Sequence, residues 1–184
     1  MTWVDAIPIV LVIVYLVLGY FTGVLRRLIA LISLYAGFVA ATNMGLQAGG
    51  ILQQSSSVPT ADARIYGFFG ILFIVLIVID AAAQLAHSQI QIEAIVFNRV
   101  SGVIVGLITA IILSVLVTYE LQAAANPFGG GQLDAFQQNI RSAVDGSHVA
   151  VPLTRAIGRP IVAIFQPVLP ADPQIYFSNG PVNP

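Results

Sequence analysis

Four apolar stretches of about 20 residues dominate the chain, from about Val4 to Phe21, Leu28 to Leu46, Ile65 to Leu85 and Val100 to Leu121. A helix rises ~1.5 Å per residue, so each stretch is long enough to cross ~30 Å of hydrocarbon while satisfying its own backbone polar groups. The expected fold is an all-α membrane protein, with four transmembrane helices in residues 1–123 (spans of about 4–21, 28–46, 65–85 and 100–121). Composition agrees: 58% of the 184 residues are apolar, 8% are charged, and mean hydropathy is +0.92, outside the range of a water-soluble domain.

Residues at the proposed boundaries fit this placement. Trp3, Tyr20, Tyr66 and Tyr119 fall at span ends, where an amphipathic ring keeps its polar edge among headgroups. Pro8 falls in the first turns of the first span, where a missing N–H costs little. The first stretch is expected to persist as a helix rather than to be cleaved, since Met1 to Asp5 carries no basic side chain.

Orientation follows the arginines. Arg26 and Arg27 lie in a very short first turn and Arg99 just before the fourth span, whereas the second connection holds only Arg64 beside Asp62. The positive-inside rule then places the first and third connections in the cytoplasm and both termini outside it, in a multi-pass protein of the inner (cytoplasmic) membrane.

Small residues supply the packing pattern. Ser33, Gly37, Ala41, Gly45 and Gly49 recur every four residues in the second span, and Gly102, Gly106, Ala110, Ser114 and Thr118 do so in the fourth. Gly19 and Gly23 add a third patch. Lipid tails are as apolar as leucine, so helices associate in a bilayer by close backbone approach, which strips of small residues permit. Sequence alone leaves open whether these faces meet within one chain or between chains.

Ionisable groups inside a bilayer are costly and therefore candidates for function. Asp80 is the main one, near the cytoplasmic edge that also holds Arg26, Arg27 and Arg99. The favoured reading is a charge pairing that ties spans one, three and four together; a helix-end residue and a proton or ion relay are the other two. His87 and Glu93 read as solvated or interfacial. Asp5 and Glu120 read as positional residues near the outer face. Asn43 and Gln84 are the remaining polar hints within the spans.

Outside the spans, residues 47–61 form a polar, uncharged stretch expected as a surface loop. In the tail, residues 124–184, Gly129-Gly130-Gly131 is expected as a hinge, and after it Leu133, Phe136, Ile140 and Val144 lie on one face of an amphipathic helix at about 132–145. A second, interfacial helix is expected at about 151–169. There Pro152, Pro160 and Pro167, with Arg155 and Arg159, argue against a fifth crossing. Pro170 to Pro184 cannot build a core alone, and is expected to be disordered or held by a neighbour.

The functional classes narrow accordingly. A net charge of −1 without any lysine offers no field for nucleic acid, and the absence of cysteine excludes sulfur chemistry. Nothing resembles a phosphate loop, nucleophile elbow or zinc helix, so no catalytic residue, cofactor or metal is expected.

Trp3-Val4-Asp5, then Gly19-Tyr20-Phe21-Thr22-Gly23-Val24-Leu25-Arg26 with Leu28, resembles the start of the colicin V production protein family. Phe97-Asn98-Arg99-Val100-Ser101-Gly102 followed by Gly106 resembles its second recurrent segment. The resemblance covers roughly residues 1–123 and implies a four-helix membrane protein tied to secretion or toxin production. The chain departs from the family pattern at Thr22 and Ala110, where arginine is frequent, and at Asn98, where an acid is. The expected role is a structural or accessory subunit contacting lipid and other membrane subunits or itself; the alternative is a small channel or transporter.

Overall fold

In the computed structural model, residues 1–87, 95–129 and 133–180 are described. Six helices follow in order: α1 (Trp3–Ser56), α2 (Thr60–His87), α3 (Ile95–Ala125), α4 (Ala135–Asp145), α5 (Ala150–Phe165) and α6 (Pro173–Tyr176). No strand occurs among the described residues. The first three helices are long and apolar enough to cross a membrane.

The spans expected at 4–21 and 28–46 prove to be two arms of α1, separated only by Gly23. Its φ of 76° and ψ of 178° lie where an L side chain is strained, so glycine permits the whole reversal in a single residue. The chain turns back there, since Asp5 and Thr42, which a straight helix would hold ~55 Å apart, bond to Ala150 and Val168, at the start and just beyond the end of the much shorter α5. Two sets of antiparallel contacts line the arms. In the first arm, Tyr15 and Gly19 meet Gly106 and Gly102 of α3; in the second, Gly37, Gly45 and Gly49 meet Leu72, Phe68 and Ala63 of α2. Arm, arm, α2 and α3 thus make four antiparallel rods from three helices.

The expected loop over 47–61 is corrected. Helix α1 continues to Ser56, Ser57 takes a left-handed φ of 51°, and α2 begins at Thr60. Gly49 packs against the Ala63 backbone, so close helix contact extends through a segment whose serines and glutamines read as surface. The tail helices begin at Ala135 and Ala150, and the second ends at Phe165, four residues short of the expected limit.

Helices α4 and α5 meet at 84°. At the start of α5, the Ala150 N–H donates to Asp5 (3.2 Å); beyond its end, the Val168 carbonyl accepts from Thr42 Oγ1 (2.7 Å). Asp5 and Thr42 lie at matching heights on the two arms, ~27 Å and ~29 Å from Gly23. Both ends of α5 therefore stay at one end of the bundle, and α5 does not cross it.

The last described segment is packed rather than loose. Tyr176 and Phe177 are buried; Phe177 sets its ring against Phe68 and Phe69 with centroids 5.4 and 6.4 Å away, and Tyr176 Oη donates to the Ala41 carbonyl (3.2 Å). Burial pushes the Tyr176 phenol above its ordinary range. Arg64 donates to the Ser178 carbonyl, and Asn179 accepts from the Ala61 N–H (2.9 Å). Gln137 Nε2 links the α3 carbonyl of Ala124 (3.4 Å) to that of Phe177 (3.3 Å). The neighbour that holds the tail through Asn179 is the chain's own bundle.

Candidate functional site

Two polar clusters occupy opposite ends of the bundle. At the reversal, the Asp80 carboxylate lies between two guanidinium groups: Arg26 Nη2 at 2.8 Å from Oδ2 and Arg27 Nη2 at 3.0 Å from Oδ1. Arg26 also donates to the Asp80 carbonyl (3.3 Å). Arg27 is held further by Nε donating to Thr22 Oγ1 (3.2 Å), with its guanidinium 5.5 Å from the Tyr15 ring centroid. Its side chain is 1% exposed, that of Arg26 9% and that of Asp80 32%. Two adjacent arginines, one turn beyond Gly23, thereby close α1 onto α2 through one acid.

Arg99 does not join this cluster. It turns to Tyr20, with Nη1 donating to the hydroxyl (3.3 Å) and its guanidinium 5.1 Å from the ring centroid. The expected tie from Asp80 to the fourth span is thus corrected. Helix α3 is instead joined to the reversal by Asn98, whose Oδ1 accepts the Val24 N–H (2.8 Å) freed by the break at Gly23. A Cβ on Gly23 would overlap the Asn98 amide. The resemblance marked Asn98 only as a departure from an acidic residue, and its part as a plug for the reversal had no signal in spacing.

The small-residue faces are used inside this one chain. Gly19 lies on the Gly102 backbone, Gly106 on that of Tyr15, and Gly45 on Phe68. Gly37 faces Leu72 and Leu76. Ser33 and Ser114 are buried with their hydroxyls bonded to carbonyls of their own helices, Ala30 and Ala110, and Ala41 and Ala110 are fully buried. Asn43 likewise bonds back to Val39. A crevice of about 310 Å³ beside Tyr15, Arg27 and Asp80 is otherwise walled mainly by leucine, isoleucine, valine and phenylalanine.

At the other end the organising residue is Asp5, which is fully buried. Its Oδ1 accepts from Ser147 Oγ, Val149 N (2.9 Å) and Ala150 N (3.2 Å), and its Oδ2 from Thr2 N (3.1 Å) and His148 N (3.2 Å). One carboxylate therefore caps the N-terminus of α1 from within and that of α5 from across the fold, where unsatisfied N–H groups favour negative charge. Thr2 Oγ1 reaches the Ala143 carbonyl (2.8 Å) and Trp3 Nε1 reaches Asn139 (2.9 Å). The sequence hint was a threonine three places before an acid, the outline of a capping box, which says nothing of a distant second helix. Glu120 is fully buried in α3, and neither carboxylate oxygen meets a hydrogen-bond partner among the described residues.

No group of three metal-ligating side chains occurs among the described residues. Glu93 lies outside them, as do the side chains of Gln84 and His87. The Asp80 cluster neutralises charge, and the Asp5 cluster closes two helix ends.

The model of the family described as colicin V production protein matches residues 4–155. That range exceeds the four spans and runs through α4 into the first turns of α5, so it takes in both Asp5 and the helix start that Asp5 caps. No curated protein and no solved structure matches the chain.

Proposed function

From the premise that this chain belongs to the colicin V production protein family, and is a multi-pass membrane protein, we propose that it serves as a structural or accessory subunit. It acts without catalysis, as a scaffold in a membrane assembly for secretion or toxin production. The carrying observation is that its intramembrane charge cluster and its small-residue faces are spent on contacts within the chain. Asp80 is bonded to Arg26 and Arg27, the glycines are spent on α1–α2 and α1–α3 contacts, and the tail covers the far end.

What remains outward is large and apolar, as at Ile13, Val17, Ile74, Ile77, Val78, Ile104 and Ile108. Such a surface suits lipid and flanking helices, and no aqueous path is supported by it. The protein resides in the inner membrane with the Gly23 reversal toward the cytoplasm and both termini outside.

A photo-crosslinking residue at Ile77 or Ile104 in living cells tests the reading. It predicts one reproducible membrane-protein adduct on at least one face. Adducts with lipid alone, together with ion or solute flux across liposomes holding the pure protein, would favour a channel and reject a scaffold. A C-terminal reporter active only in the cytoplasm tests orientation, and a signal from it reverses the assignment.

A further inference from the structure

Between α5 and the tail-side end of α3 lies a cleft of about 590 Å³, a volume within the ~300–1,000 Å³ of ordinary ligand sites. Arg155 and Arg159, one turn apart on α5, are both exposed and both line it. Like charges at this spacing repel, and neither arginine has an acidic partner within salt-bridge distance among the described residues. Of the acids nearby, Glu120 is buried in α3 and does not line the cleft, and the other two have partners of their own. Asp145 approaches Arg141 at 3.9 Å, and Asp172 accepts the Ile175 N–H that begins α6 (3.2 Å).

The cleft lining contains no carboxylate. It does contain Tyr119 and Gln122, and the Gln122 Nε2 is a buried donor with no acceptor. Two guanidinium groups and a spare amide donor beside a wall without acids fit an anion that brings several oxygens. Apart from Thr154 and Gln166, the rest of the lining is apolar, including Val162, Ala163, Leu169 and Pro170. Helix α5 also lies along the part of the bundle that faces lipid, since Phe165 packs on Tyr35 and Phe38 of the second arm, ring centroids 5.9 and 6.0 Å away. Charge at one end of a cleft and oil at the other, alongside a bilayer, select an amphiphile.

We propose that this cleft binds an anionic phospholipid of the tail-side leaflet, with the phosphate at Arg155, Arg159 and Gln122 and an acyl chain over Ala163 and Leu169. The site holds whether or not a protein partner docks on the bundle. It gives the amphipathic tail helix a specific lipid ligand, beyond simple interfacial adsorption.

Native mass spectrometry of the full chain, released from detergent with phosphatidylglycerol or phosphatidylcholine, tests this. The expected result is phosphatidylglycerol retained about tenfold or more over phosphatidylcholine. Arg155→Gln with Arg159→Gln should abolish that preference, while Arg141→Gln, equal in charge to one of them but outside the cleft, keeps it. Ala163→Phe fills the apolar wall, leaves both arginines in place, and should lower retention about tenfold; it keeps the test intact if the double variant fails to assemble. The proposal is overturned if wild type shows no preference, or if Arg141→Gln costs as much as the cleft pair. Displacement by inorganic phosphate combined with an unaffected Ala163→Phe would mark a free-anion site and reject the lipid.

Discussion

Asp5 and Ala150 stand 145 positions apart, yet the carboxylate of the first accepts the backbone N–H of the second at 3.2 Å. The opening turn of the first helix thereby caps α5 together with Ser147, whose Oγ accepts the Val151 N–H (3.1 Å), while Val149 has no side-chain hydrogen bond to offer. Asp5→Ala leaves the N–H groups of His148, Val149 and Ala150 without this acceptor. Removing a cap costs about 1–2 kcal/mol, and stranded buried donors add to it. Limited proteolysis in detergent should cut the tail faster in this variant, with residues 3–125 remaining intact.

Gly23 and Asn98 should behave as a coupled pair. Gly23→Ala places a Cβ at positive φ and against the Asn98 amide, so it should lower thermal stability by roughly 2 kcal/mol or more. Asn98→Ala alone loses the acceptor for Val24 N–H, at about 1 kcal/mol. In the double variant the overlap is relieved, and the combined loss should fall short of additive. Additive melting shifts would show that the two residues do not meet.

Asp80→Asn removes the charge shared by Arg26 and Arg27. Asp80 is about one-third exposed, so the loss should lie below the ~3–5 kcal/mol of a fully buried pair, at roughly 1–3 kcal/mol. Thermal unfolding in detergent measures it. Intact stability accompanied by lost ion flux would contradict a purely structural role.

The glycines divide into those that touch a neighbour and those that do not. A Cβ on Gly102 meets the Gly19 and Gly23 backbones, whereas one on Gly70 meets nothing within 4 Å. Gly102→Ala should cost about 1–3 kcal/mol through overpacking. Gly70→Ala should be neutral or stabilising by up to about 1 kcal/mol, through helix propensity. Equal melting temperatures for the two variants would deny the close approach.

Phe177→Ala removes a buried ring that meets Phe68, Phe69 and Tyr176, and should cost about 3 kcal/mol or more. Loss of the tail's protection from protease, with α1 to α3 retained, would accompany it.

The apolar spans were legible because length and composition alone force a helix in lipid, and the four-residue ladders were legible because close packing leaves a periodic trace. Contacts made by a single residue leave none. Arg26 and Arg27 differ from Arg99 by position relative to Asp80, which depends on how α3 is rotated, and a list of residues at one membrane edge does not fix that rotation. The stretch at 47–61 misled because its glutamines and serines are compatible with a surface loop, while Gly49 belongs to a helix pair running past the apolar zone. Tyr176 and Phe177 read as an aromatic pair among prolines; only the fold supplies Phe68 beneath them.

The bond between Asp5 and the start of α5 also dictates an order of events during synthesis. The acid is made well before its partners, and its acceptor duties wait until Ser147 to Ala150 have been made. Throughout translation of the intervening chain, this end of the bundle stands unsealed. A polypeptide halted short of Ser147 keeps all its apolar stretches yet leaves the Asp5 carboxylate without the donors that Ser147, His148, Val149 and Ala150 supply.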